Sequence, residues 1–117
     1  GEVKPREPID DKVDVITLKS NTTNLETRSC SSAPSPRVGT ASSVLNGKMY
    51  LFSGRGGVDM ATIEEQGAVW CYDTPSSSWT KITPADPSAP IPPARSYHCS
   101  TSDGKETFFL HAGCPAK

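Results

Sequence analysis

Thr40-Ala41-Ser42-Ser43-Val44-Leu45-Asn46-Gly47-Lys48-Met49-Tyr50-Leu51-Phe52-Ser53-Gly54 is the stretch that decides the fold. Two runs of strand formers flank Asn46-Gly47, a dipeptide suited to the positive φ angles of a type I′ hairpin turn. Thr40–Asn46 and Lys48–Ser53 are therefore expected to pair antiparallel. Met49-Tyr50-Leu51-Phe52 is apolar at consecutive positions, whereas a sheet with one wet face would alternate. Both faces of this hairpin need cover.

Working outward, a second pair runs from Tyr97 to Ser102 and from Lys105 to Ala112 around Asp103-Gly104. With Ser102 and Lys105 as the closing pair, His98 would stand opposite Phe109 and Ser96 opposite His111. The two turns lie 57 residues apart, and Pro36-Arg37 answers Pro93-Ala94-Arg95 at a spacing of 58. Asn46-Gly47-Lys48 likewise answers Asp103-Gly104-Lys105, and Phe108-Phe109-Leu110 is the second consecutive apolar run. Between the hairpins, Ala68–Asp73 and Trp79–Thr83 complete a four-stranded unit around the polar turn at 74–78. An internal period of roughly 50–60 residues with four strands per unit is the signature of radially stacked blades. In that arrangement neighbouring blades bury both faces of each sheet. The Pro-rich stretch from Pro84 to Pro93 reads as the connection between blades, since proline cannot donate to a ladder. Helical periodicity is confined to Met60–Gln66, which is too short to stand alone.

Composition agrees with a mainly β chain that holds a small core. Leu, Ile, Val and Phe together supply 20 of the 117 residues, against 11 Pro and 9 Gly. The apolar residues must therefore be concentrated in a few ordered stretches between polar loops. Twelve Lys+Arg against thirteen Asp+Glu leave a formal charge of -1, which argues against nucleic acid and anionic membranes as partners. No run approaches the length of a membrane helix, and no signal-peptide pattern opens the chain. Localisation, cytoplasmic or secreted, stays open. Cys30, Cys71, Cys99 and Cys114 allow three pairings if oxidised, and free thiols are an equal alternative. Asn21-Thr22-Thr23 is a glycosylation acceptor if the chain is secreted, a short pattern that arises often by chance.

The residues resemble the kelch motif: Arg37, then Met49-Tyr50-Leu51-Phe52-Ser53-Gly54, Trp70-Cys71-Tyr72-Asp73, Trp79, and Arg95-Ser96-Tyr97-His98. A second, shorter copy contributes Arg95, His98, Phe108 to Leu110, with Phe109 at its centre, and Gly113. The wording is similar to fungal kelch proteins of the galactose-oxidase-like propeller superfamily. The usual glycine pair is Ser53-Gly54 in one copy and Ala112-Gly113 in the other, and the usual histidine is Thr40 in the first. The resemblance implies an all-β fold, a partial kelch β-propeller with four-stranded antiparallel blades in an incomplete ring. Residues 1–12 are expected to be a flexible start and 13–35 the outer strands of a preceding blade. Residues 36–94 would form a complete repeat, and 95–117 the first hairpin of the next. Such a chain would complete its ring with other blades or by self-association.

Candidate sites divide into structural and functional readings. Arg37, Tyr50, Phe52, Gly54, Trp70, Tyr72, Asp73, Trp79, Arg95, His98, Phe109 and Gly113 occupy kelch positions with structural roles. The arginines would brace each repeat by bonding backbone carbonyls, and the tryptophans would wedge between blades, each indole N–H needing an acceptor. His98, Cys99, His111 and Cys114 form the densest group of metal-ligand types. On the expected register both histidines share one face and Cys99 points to the other, which leaves too few ligands for zinc. Tyr97-His98 evokes a copper site, but the repeat accounts for His98. Gly54-Arg55-Gly56-Gly57 lacks the Lys-Ser/Thr of a phosphate loop and reads as a turn. The segment Gly54–Gln66, the longest between strands, is the expected contact loop, with Arg55, Asp59, Glu64 and Glu65 as its charged members. Its carboxylates read as solvated. No residue is assigned to catalysis, metal or cofactor.

These readings point to a protein-interaction scaffold with a protein partner. The alternative is part of a galactose-oxidase-like or specifier-type enzyme acting on a carbohydrate or other small molecule once its blades are complete. A further alternative is a truncated product without independent function.

Overall fold

The computed structural model describes residues 8–30 and 32–116. Most of the expected flexible start, residues 1–7, lies outside the described residues. Strands β1 (Val13–Lys19) and β2 (Thr22–Arg28) form a hairpin; β3 (Ala41–Leu45) and β4 (Lys48–Phe52) form the next. The short strands β5 (Arg55–Gly56) and β6 (Ala61–Thr62) follow, then β7 (Val69–Asp73) and β8 (Ser78–Ile82). Last come β9 (Arg95–Ser96), β10 (Cys99–Ser102), β11 (Phe108–His111) and β12 (Cys114–Pro115). Every pairing is antiparallel, and β3-β4-β7-β8 make one four-stranded sheet. Gly54–Gln66 is thus no structureless loop, because β5 and β6 pair within it.

The turn between β3 and β4 is the two-residue form, closed by the pair Leu45↔Lys48. Asn46 (φ 48°) and Gly47 (φ 75°) both have positive φ, the conformation in which turn twist matches strand twist. Ser20 and Asn21 make the same turn between β1 and β2.

The second hairpin departs from the expected register. Ser102 pairs with Phe108 rather than Lys105, and Cys99 stands opposite His111. The cause is Asp103: its Oδ1 accepts the N–H of Lys105, Glu106 and Thr107 at 2.8, 3.1 and 3.1 Å. Its own N–H reaches the Thr107 carbonyl at 3.0 Å. A carboxylate that captures three successive amides holds a five-residue loop, where a two-residue turn would leave them to water. Side chains alternate faces along a strand, so this odd change in register reverses which residues share a face. His98 no longer stands opposite Phe109, Ser96 pairs with Cys114 instead of His111, and Cys99 and His111 lie on one face.

Each face of the four-stranded sheet is packed differently. On one, Leu51, Tyr72 and Trp79 form the core, joined by Val13, Cys30, Ala33, Met49 and Trp70. The Tyr72 and Trp79 rings lie 5.0 Å apart, and burying one large apolar side chain of this kind contributes roughly 2–3 kcal/mol. Arg28 ties the first hairpin to this face by donating to the Thr74 carbonyl at 2.8 Å. The opposite face meets the second hairpin: Tyr50 stacks on Phe108 at 6.2 Å and Phe52 meets His98 edge-on at 6.0 Å. Strand β11 is covered on one side only. Phe109 is 57% exposed, although the sequence alone calls for cover on both faces there. Among the described residues, no helix is long and apolar enough to cross a membrane.

Candidate interaction surface

The two hairpins are related by a nearly constant offset, and the side chains that join them respect it. Arg37 donates from Nε to the Ser35 carbonyl (3.1 Å) and from Nη1 to the Ser53 carbonyl (3.0 Å). Arg95, 58 positions later, repeats both bonds, to Pro93 (3.2 Å) and Ala112 (3.2 Å). Gly54 and Gly113 are equivalent in the same sense. A Cβ on Gly54 would lie 3.0 Å from the Val38 carbonyl oxygen, and one on Gly113 only 2.7 Å from that of Ser96. Both positions have positive φ, so glycine is required on two counts.

The long segment after Gly54 is held against the sheet by Glu65. Its carboxylate accepts from Trp70 Nε1 at 3.1 and 3.0 Å and from Arg37 Nη1 at 3.1 Å, with Lys81 Nζ at 3.4 Å. Its side chain is 15% exposed, so Glu65 is removed from the solvated contact loop to which the sequence assigns it. Burial pushes the carboxyl pKa up, but the Trp70 N–H, the Arg37 guanidinium and Lys81 outweigh it and hold the group below the usual glutamate range. Trp79 differs: among the described residues its buried indole N–H meets no acceptor. Ser53, overlooked in the sequence, is a second tie. Its Oγ donates to the Ile63 carbonyl at 2.9 Å and accepts the Arg95 N–H at 3.0 Å, linking the segment to strand β9.

Arg55 is also turned inward. Its guanidinium donates to Ser96 Oγ (2.7 Å), the Met60 carbonyl (3.2 Å) and the Pro115 carbonyl (3.1 Å). Asp59 and Glu64 remain exposed. With Met60, Pro93 and Tyr97 these three residues border an open groove of about 980 Å³. Two of its walls carry bulky residues in the left-handed region, Met60 (φ 49°) and Tyr97 (φ 56°). The position equivalent to Tyr97 is Gly39 (φ 66°), which accepts that conformation freely, whereas a Cβ there costs about 1 kcal/mol. Val58, fully exposed at 102%, tips the adjoining loop.

The metal-ligand types are dispersed. His98 is buried, and among the described residues neither ring nitrogen makes a hydrogen bond of good geometry. Burial and the charge of Arg95 push its pKa below the usual histidine value, and the Phe52 carbonyl offsets this only in part. Cys99 and His111 face each other at the surface, while Cys114 pairs with Ser96 in a separate ladder. Among the described residues no three His, Cys, Asp or Glu side chains converge. Asp73 caps the β7–β8 turn by accepting the Ser76 N–H at 3.1 Å. Asn21 sits at the exposed tip of the β1–β2 turn.

Residues 36–85 match the family model of the Kelch motif. Over that segment the chain is similar to a kelch repeat. The match supports a kelch-repeat protein, and among the described residues the antiparallel strands in unclosed sheets are consistent with a partial kelch propeller. No curated protein matches the chain.

Proposed function

We propose that the chain is a protein-interaction module of the kelch type. In this reading residues 13–35 are the outer strands of one blade, 36–94 a complete blade and 95–117 the inner hairpin of a third. The observation that carries the proposal is the anchoring of the segment 54–66 at both ends. Glu65 ties it to the sheet through Arg37 and Trp70, and Ser53 ties it to Arg95. Between those anchors the exposed residues Gly57, Val58 and Asp59 project from a framework that does not have to reorganise on binding. A rigid scaffold presenting a loop is the usual arrangement for recognition. The test is crosslinked affinity capture with the full chain against a variant in which 57–59 are replaced by Gly-Ser-Gly. A partner retained by the first and lost by the second, with both equally folded, supports the module. Identical capture profiles would contradict it.

A further inference from the structure

Tyr97 keeps the left-handed backbone of its equivalent Gly39, with its N–H donating to the Gly39 carbonyl at 2.6 Å, and the choice of a large side chain there is what the fold does not explain. The ring is 57% exposed, so the strained conformation is not exchanged for core packing. The Tyr97 ring instead lies over Gly39, where an added Cβ would come within 3.0 Å of Cδ1 and Cε1. That position fixes the ring at the mouth of the groove. Met60, also left-handed, faces the same groove from the other wall. Backbone strain persists where surrounding structure enforces it and concentrates at sites of ligand contact. An exposed, immobilised tyrosine is a favoured anchor in interfaces.

The charges around the groove select the occupant. Arg55 is half-buried and committed to three neutral acceptors on the protein. Asp59 and Glu64 are exposed at the rim. We infer that the groove between Tyr97 and the loop carrying Met60 seats a peptide segment of a partner protein, one that places an apolar side chain beside a Lys or Arg. The apolar group packs against Tyr97, Met60 and Pro93, and the cation meets Asp59 and Glu64. This rests on the interaction reading above and assigns it a site and a ligand chemistry.

The probe is a displayed library of random linear peptides selected on the full chain, followed by fluorescence anisotropy with an enriched peptide. Selection should yield an apolar residue next to a basic one. Tyr97→Gly should weaken the selected peptide about tenfold while melting no earlier than wild type, since glycine suits the backbone there. The double variant Asp59→Asn/Glu64→Gln should weaken it about fivefold and flatten its salt dependence. An acidic consensus, no enrichment, or unchanged affinity in both variants would overturn the groove assignment. A protein partner captured equally by wild type and Tyr97→Gly would overturn the groove while leaving the interaction module standing. Failure of the loop-replacement experiment would remove the module itself.

Discussion

Ser100 donates from Oγ to the carbonyl of Ser42 at 2.9 Å, and the two residues stand 58 positions apart, the offset that also separates Arg37 from Arg95. Ser102 repeats the contact with the carbonyl of Val44 at 2.8 Å, again across 58 positions. Equivalent residues of successive units therefore touch one another. Such contacts arise when units are related by a rotation that brings their inner strands side by side, as in radially stacked blades. Side-chain hydroxyls thereby satisfy carbonyls along the edge of β3.

The first prediction concerns this seam. Ser100 Oγ also accepts from Ser43 Oγ at 2.8 Å, so Ser100→Ala removes two hydrogen bonds and leaves the buried Ser43 without its acceptor. The expected loss is about 1–2 kcal/mol by urea denaturation. Ser102→Ala also removes two bonds, the donation to the Val44 carbonyl and the Gly104 N–H that Ser102 Oγ accepts at 3.2 Å, but both are exposed to water and their loss should cost less than that at Ser100.

Glu65 supplies a second prediction, with a pH dependence of known sign. Its carboxyl titrates lower in the folded state than in the unfolded chain. The stabilisation is therefore present above the unfolded value, about 4.3, and is lost as pH falls through the folded value. Glu65→Gln should be less stable than wild type at neutral pH, by about 2 kcal/mol because Arg37 loses its buried counter-charge. The gap should narrow below pH ~4. Denaturant midpoints of both proteins across that range provide the check.

His98 should show the corresponding behaviour at higher pH. Its folded pKa lies below the unfolded value, so the stability it contributes is present above about 6.5 and declines as acid drives the pH toward the folded value. A proton NMR titration of the His98 ring should give a midpoint below the usual histidine range. His98→Thr, which copies Thr40 and its bond to the Phe52 carbonyl, should remove that acid sensitivity.

A further prediction isolates backbone strain from packing. Tyr97→Gly should raise the melting temperature by roughly 4 °C, the equivalent of about 1 kcal/mol of left-handed strain. Gly113→Ala should lower it well beyond that, because its Cβ would meet the Ser96 carbonyl oxygen at 2.7 Å and His98 Cβ at 2.9 Å. Differential scanning calorimetry on the two variants reads both effects.

Much of the four-stranded sheet is legible in the residues themselves. Asn46-Gly47 determines its turn locally, and β7 and β8 follow from runs of strand formers around a polar turn. The second hairpin is not legible in the same way. Asp103-Gly104 has the composition of a two-residue turn, but one side-chain oxygen captures three amides, and that is a matter of geometry. Glu65 was misplaced for a different reason: its partners Arg37 and Lys81 lie 28 residues before and 16 after it, beyond the reach of any local pattern. Tyr97 could have been singled out by aligning it with Gly39, since one repeat shows where glycine is wanted and the other departs from it.

The central claim, that successive units stack through equivalent residues, is tested most directly by nuclear Overhauser contacts in the labelled full chain. The account predicts cross-peaks between the Tyr50 and Phe108 rings, between Val44 and Ser102, and between Ser42 and Ser100. Observation of the β3–β4 and β10–β11 ladders without any of these contacts would contradict it, showing two hairpins that fold but do not stack.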